Sequence, residues 1–300
     1  MDIMENTRSA ISGFACYHIG TSKYRSYEDR HFLDTIKTEG GLDLIVAIVA
    51  DGVGGGNLGQ RAAELTIEVV VNSIKVSDES EKKIPIILGT AVGAANKAVY
   101  AEAHSSRDKE GMSTTLSMAV VCNNKLYVAN VGDSRVYLIR QDEIKQVTVD
   151  HTFANEKIRR GILSPEQARK HPNKGFITRS VGFEKEILVD LGLYLSPDDD
   201  GNQAFLNQGM TISNSDVIVL CTDGLIKKEP YRNTPYVKEY EIINTLQEFH
   251  AETAAKILVD LAVGRNTDDN VTVVIIESSD RKLKSSINQL VNKVRRLWRT

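Results

Sequence analysis

An uninterrupted apolar run of seven residues, Leu44 to Ala50, ends in Asp51-Gly52-Val53-Gly54-Gly55-Gly56. A buried strand that delivers a carboxylate into a glycine turn calls for a physical reason, and two compete. Gly54-x-Gly56-x-x-Gly59 has the spacing of a dinucleotide-binding fingerprint, placed after a strand and before a helix. Asp51 would then lie beside a pyrophosphate and repel it, and the following segment leads into more helix, not into a second parallel strand with a ribose-binding acid. The other reading makes Asp51 a ligand of a divalent cation, with the glycines letting a backbone carbonyl approach the same ion. Hard cations take several oxygens, so this reading requires more acids at other strand ends. Val217 to Cys221 runs into Thr222-Asp223-Gly224, Asp268-Asp269-Asn270 immediately precedes the apolar run from Val271, and Glu28-Asp29 lies shortly after the first strand-like segment. Each alone reads as turn chemistry, since Asp-Gly and Asp-Asn are ordinary turn pairs. Together they form a set of carboxylates that one fold could gather round a cation.

The elements that must position them are mostly strands. Alternating or continuous β-branched runs cover Gly13 to Ile19, Leu42 to Ala50, Thr115 to Cys122, Lys125 to Val131, Arg135 to Ile139, Ile144 to Val149, Ile187 to Leu195, Val217 to Cys221 and Val271 to Glu277. Asn123-Asn124 and Gln141-Asp142-Glu143 join neighbouring runs as hairpin turns, which implies antiparallel pairing. Helical patterns span about Leu58 to Ile74, Pro85 to Ala103, Thr152 to Arg160, Pro165 to Lys170 and Glu239 to Val263; Ala62, Leu65 and Val69 form an apolar stripe on the first. Hairpins separated by long helices predict an α+β fold, two antiparallel sheets packed face to face with helices outside. One domain is expected over residues 1–278, followed by a separate helix over 279–300.

Composition narrows the class. At 41% apolar and 26% charged, the 300 residues suit a globular core and exclude collagen-like, disordered and disulfide-scaffold chains. No apolar run approaches the roughly 20 residues of a membrane span, and the first residues lack the basic and apolar regions of a secretory signal; a cytoplasmic protein is expected. Cys16, Cys122 and Cys221 lie far apart within apolar runs and read as buried free thiols. The net charge of −3 divides into a body of −9 and a stretch from Asp280 onward with seven Lys/Arg against one acid. The acidic body argues against nucleic acid as a partner and suits cation-holding carboxylates. In the tail, Ile287, Leu290, Val291, Val294, Leu297 and Trp298 share one helical face. It could pack back on the body, or attach residues 280–300 to anionic lipid or to a partner.

The motifs, taken in order, resemble the metal-dependent Ser/Thr protein phosphatases of the PPM or type 2C family in their bacterial form. They are Tyr27-Glu28-Asp29-Arg30, Ala50-Asp51-Gly52-Val53-Gly54-Gly55, Gly111-Met112-Ser113-Thr114-Thr115, Val131-Gly132-Asp133-Ser134-Arg135, Asp150-His151-Thr152, Ile177-Thr178-Arg179-Ser180-Val181-Gly182, Cys221-Thr222-Asp223-Gly224-Leu225 and Asp268-Asp269-Asn270-Val271-Thr272-Val273. The resemblance covers roughly residues 13 to 277, and the stretch from Asp150 to Val181 looks like the flap of bacterial members.

What the resemblance implies is an α-β-β-α sandwich and a centre of two Mg2+ or Mn2+ ions, with a third near Asp223 and Asp108. Asp51 would bridge the pair, the Gly52 carbonyl would complete one ion, Asp223 and Asp269 would hold the other, and Glu28 and Asp29 would act on or near the shell. Paired cations lower the pKa of a bridging water and neutralise the phosphate oxygens, so hydroxide can attack phosphorus in line. Substrates would be phosphorylated proteins, opposite a cognate Ser/Thr kinase. The alternative is a catalytically inactive binding module of the same fold, whose signature would be missing metal acids.

Two departures stand out. Val53 occupies the position of the eukaryotic general-acid histidine and cannot donate a proton; His151 is a candidate donor, with turn stabilisation as its competing role. Tyr24 occupies the usual position of the phosphate-clamping arginine, leaving Arg25, preferred for its bidentate grip, or Lys23. Other features read as structural. Ser196-Pro197-Asp198-Asp199-Asp200-Gly201 is expected to be a solvated hairpin tip, not a calcium loop, and Asp133 with Arg135 an ion pair or turn.

Overall fold

A computed structural model describes residues 11–21, 26–227, 234–278 and 281. Strands Ile11–His18, Val271–Ser278, Val217–Cys221, Arg135–Arg140 and Glu143–Gln146 lie in that order in one sheet. Met210–Thr211, Lys125–Val131, Leu116–Cys122, Asp43–Ala50 and Arg30–Lys37 lie in that order in the other. All of these pairings are antiparallel. Asn123 and Asn124 adopt φ of 50° and 58°, and Gln141 and Asp142 φ of 49° and 67°. Both hairpins therefore turn through paired left-handed residues, whose twist matches that of the flanking strands.

The period-two alternation of strand side chains builds three apolar layers. In Asp43–Ala50, Val46 and Ile48 face helices Asn57–Lys75 and Ile84–Ala103, where they meet Ala62, Val70 and Leu88. Ala47 and Val49 face the opposite sheet and share a layer with Ile218, Leu220, Val274 and Ile276. The alternate residues Val217, Val219, Cys221, Val273 and Ile275 pack on helix Ala251–Gly264 through Ala255 and Leu258. The central strands are thus buried on both faces, so they read as unbroken apolar runs. This is the expected four-layer α-β-β-α sandwich.

Several local expectations are corrected. Strand Arg30–Lys37 has no clear alternating signature, because its sequence Arg-His-Phe-Leu-Asp-Thr-Ile-Lys belongs to a half-buried sheet edge. Ile187 to Leu195 is not a strand; a single bridge joins Asp190 to Asn130. The long segment expected over Glu239 to Val263 is two helices, Glu239–Glu248 and Ala251–Gly264, interrupted at Phe249 and His250 in extended conformation. The supposed hairpin tip is a helix start: Asp200 accepts from Gln203 N at 2.8 Å and caps Gly201–Leu206. Cys122 and Cys221 are buried free thiols, whereas Cys16 is only half-buried. Among the described residues, the segment Glu81–Ala103 has the length and hydropathy of a membrane span, with half of that window buried. Its packing in the helix-side layer accounts for its apolar character. The expected C-terminal helix lies outside the described residues, apart from Arg281.

Leu220 is fully buried between the sheets. Leu220→Ala is expected to lower unfolding free energy by about 2–5 kcal/mol. Urea denaturation checks this, and a loss below about 1 kcal/mol would contradict close packing of the two sheets there.

Candidate metal centre

The acids arrive at one cleft because backbone contacts between separate motifs leave them little freedom. Asp51 follows strand Asp43–Ala50 and donates its N–H to Thr115 Oγ1 at 2.9 Å. Its carbonyl accepts from Thr115 N and Thr114 Oγ1, each at 2.8 Å. Ser134 Oγ lies 2.7 Å from Thr115 Oγ1. The threonine pair and Ser134 therefore clamp the turn that aims Asp51.

The glycine run works by close approach. A Cβ on Gly52 would lie 2.3 Å from the backbone of Gly59, and one on Gly59 would lie 2.4 Å from Glu28 Oε2. Glu28 Oε1 accepts from Gly56 N at 2.8 Å, where helix Asn57–Lys75 begins. That carboxylate complements the positive end of the helix. The dinucleotide reading would have put a pyrophosphate at this helix start; a side chain of the protein takes its N–H instead.

Asn270 and two threonines tie the remaining acids together. Asn270 Oδ1 accepts from Glu28 N at 2.7 Å, and its Nδ2 donates to the Ile19 carbonyl at 3.0 Å. Asp29 is fully buried, and its Oδ2 accepts from Thr222 Oγ1 at 2.8 Å and Thr272 Oγ1 at 2.7 Å. Gly224 lets the last two motifs touch: a Cβ there would lie 1.9 Å from Asn270 O. Asp223 and Asp269 are thereby brought to the same rim.

Glu28, Asp51, Gly52, Asp133, Asp223 and Asp269 line one cleft of about 890 Å³. Asp29 sits behind it. Asp108 lies on an exposed turn, Arg107–Lys109, outside the cleft lining. Lys23, Tyr24 and Arg25 lie outside the described residues. The flap, with helices Phe153–Arg159 and Pro165–Lys170, contributes Arg169 and Lys174 to the cleft.

Electrostatics set the character of the site. Burial, followed by the negative charges of Asp29, Asp223 and Asp269, holds the Asp51 carboxyl well above the ordinary carboxylate range. Burial raises Asp29 to about 7, against the two threonine hydrogen bonds and with help from Asp223 and Asp269. Burial and the neighbouring Asp223 raise Asp133 to about 8. Asp223 is raised by burial and Asp269, and eased by Lys227 and a hydrogen bond with Asp51. Lys227 Nζ stands 2.9 Å from Asp269 Oδ2 and 3.7 Å from Asp223 Oδ2.

One buried carboxylate oxygen on each of Asp29, Asp133 and Asp223 has no hydrogen-bond partner. Unpaired buried oxygens are costly and call for a cation or a proton. An all-oxygen donor set of this kind fits a hard divalent ion such as Mg2+ or Mn2+. Among the described residues, no three Asp, Glu, His or Cys side chains already converge at ligand spacing.

Two residues gain roles that the sequence reading did not assign. Asp133 joins the cleft, while Arg135 pairs with Asp150 instead, through contacts of 2.7 to 3.1 Å. Lys227, one helical turn after Asp223, was hidden as an ordinary charged residue; its i,i+4 spacing from Asp223 was the available signal. His151 does not line the metal cleft. Its Nδ1 accepts from Gly132 N at 3.0 Å and its Nε2 faces Asp190 at 3.5 Å, consistent with stabilising the turn.

Comparison with known proteins agrees with this architecture. Residues 19–262 match the protein phosphatase 2C family. The serine/threonine phosphatase stp of Listeria innocua is 30% identical over 234 residues, 77% of this chain and 84% of that protein. PstP of Mycobacterium tuberculosis is 31% identical over 77% of this chain and 40% of its own length. An S. agalactiae serine/threonine phosphatase superposes with TM-score 0.73 at 26% identity, covering 89% of this chain and 99% of that one. The catalytic domain of PstP, solved with two manganese ions, gives TM-score 0.66 at 27% identity over 89% and 97% of the two chains. The chain belongs to the protein phosphatase 2C family, the PPM-type protein serine/threonine phosphatases, which are metal-dependent hydrolases.

The raised carboxyls carry a pH signature. Unfolded Asp titrates near 4, roughly 3 to 4 units below folded Asp29 and Asp133. Between those values the folded state binds more protons than the unfolded one, so stability falls as pH rises. Thermal unfolding in chelator should give a lower Tm at about pH 8 than at about pH 5.5, with a shallower slope in Asp133→Asn; a flat or rising wild-type profile would refute it.

Proposed function

We propose that the cleft hydrolyses phosphoserine and phosphothreonine esters of proteins through a dinuclear Mg2+ or Mn2+ centre. The observation that carries this reading is the group of carboxylates at Asp51, Asp133, Asp223 and Asp269, gathered in one cleft, with one buried oxygen on each of Asp133 and Asp223 lacking a hydrogen-bond partner. Asp51, Asp223 and Asp269 would hold the ions, the Gly52 carbonyl would add a neutral oxygen, and Glu28 and Asp29 would fix the surrounding frame. Bound there, paired divalent ions supply the positive charge that activates water and screens a phosphate dianion from an anionic nucleophile.

The chain's own residues do the rest by position and charge. Arg169 and Lys174 of the flap line the cleft and can draw an anionic phosphopeptide towards it. Arg135 is held by Asp150 and by Tyr137 Oη at 2.9 Å, so it serves the frame and is not free to grip phosphate. Arg25, or Lys23, remains the candidate phosphate clamp. Val53 at the cleft has no proton to give, so protonation of the leaving alkoxide falls to water or to another group. No phosphoenzyme is needed: burial pushes the Cys221 thiol up to about 12, leaving it a poor nucleophile. Phosphorylated proteins as substrates and a Ser/Thr kinase as counterpart, in the cytoplasm, complete the proposal; the bacterial phosphatases it resembles support the substrate class.

Hydrolysis of an aryl phosphate and of phosphoserine and phosphothreonine peptides with added Mn2+ tests it. Asp51→Asn and Asp223→Asn should each lower kcat/KM by more than about 100-fold, beyond the usual effect of losing an outer partner of a metal ligand. Activity that persists in chelator, or in either variant, would rule the mechanism out.

A further inference from the structure

Lys227 sits where two acids of the cleft meet. Its backbone is fixed on both sides: its N–H donates to the Asp223 carbonyl at 2.6 Å, and its own carbonyl accepts from Tyr236 N at 2.9 Å. The side chain turns back over the acids, with Nζ 2.9 Å from Asp269 Oδ2 and 3.7 Å from Asp223 Oδ2. Both carboxylates are substantially shielded, with side-chain exposures of 14% for Asp269 and 23% for Asp223, and Asp223 Oδ1 has no partner. Like charges packed this way repel strongly unless a cation or protons intervene. An ammonium is a point charge on a flexible stem, without the planar fork that locks arginine onto carboxylate. It can therefore offset part of the pair's charge and still swing clear.

We propose that Lys227 is a tethered counter-cation of Asp223 and Asp269, which offsets one of their two negative charges while no divalent ion is bound and must be displaced when one binds. The inference rests on the metal-dependent reading of the cleft and adds a residue that tunes it. Lys227 stabilises the ion-free protein and weakens metal affinity, so the ion concentration needed to load the site depends on this one side chain. Two other roles predict different behaviour. An incidental surface pair would leave metal binding unchanged. A lysine that props the carboxylates in ligand geometry would strengthen binding, and its loss would weaken it.

Calorimetric Mn2+ titration and thermal unfolding of the full chain distinguish these roles, using wild type, Lys227→Met and Lys227→Arg at one pH. Lys227→Met should tighten Mn2+ binding by roughly 2- to 5-fold, the scale of one partly exposed charge pair. Its Tm should fall below wild type in chelator and meet it at saturating Mn2+, because the ion replaces the lost charge. Lys227→Arg, which keeps the charge, should bind Mn2+ no more tightly than wild type. Unchanged or weaker binding in Lys227→Met, or a Tm deficit that persists with saturating Mn2+, would overturn the proposal while leaving the metal centre intact. Wild-type protein that binds no Mn2+ at millimolar concentration would remove the metal centre and this inference together.

Discussion

Carboxylates held close together in a partly dry cleft repel one another, and much of the surrounding structure restrains that repulsion. Asp51, Asp133, Asp223 and Asp269 line the same cleft, with Asp29 buried behind it. Left to themselves, such charges would splay into solvent. The fold prevents this by fixing backbone and side chains: Thr114 and Thr115 clamp the Asp51 backbone, Thr222 and Thr272 hold the Asp29 carboxyl, and Asn270 holds the turn of Glu28. The strain then shows in the protonation equilibria and in the approach of the Lys227 ammonium. Those responses mark an environment suited to positive charge.

Packing supplies the rigidity that such restraint needs. The cleft stands where strand ends from two sheets meet, and each sheet is covered on both faces by apolar layers. Side chains in close-packed layers have little room to relax, so the strand ends stay in register against the electrostatic push. The glycines act at the same joint. Gly52 against Gly59 and Gly224 against Asn270 allow backbone contacts that any side chain would prevent; the first packs the Asp51 turn on the start of the first helix, and the second draws the Asp223 segment onto that of Asp269.

The central strands were legible because burial on both faces leaves near-continuous apolar runs, as in Asp43–Ala50 and Val217–Cys221. The two hairpin turns were legible because Asn123, Asn124 and Asp142 are residue types that tolerate positive φ, and Gln141 enters that region beside Asp142. Strand Arg30–Lys37 was not, since an edge exposes polar residues and loses its pattern. Ile187 to Leu195 carries strand-like residues, yet its backbone bonds to Asn130 through one bridge and then to Ala204 and Val147 at single points, so no ladder forms. The helix break at Phe249 and His250 lies inside a pattern whose apolar content continues on either side. Arg135 shows the same limit for a charged group: sequence neighbourhood suggested Asp133, while space assigned Asp150.

Residue order and chemistry alone established a divalent-cation reading of Asp51, Asp223, Asp269 and Glu28-Asp29, because strand-end acids followed by glycine or asparagine are conspicuous against apolar runs. They also established the sandwich, since strand period and turn composition are local properties. Only the tertiary structure decided that Asp133 lines the cleft, that Asp108 stands outside it, that Glu28 occupies the start of the first helix and that Lys227 reaches two acids. Those facts depend on distances between segments up to some 240 residues apart, as in the 2.7 Å bond from Glu28 N to Asn270 Oδ1, and such distances are set by how the sheets close, not by any local preference of the chain.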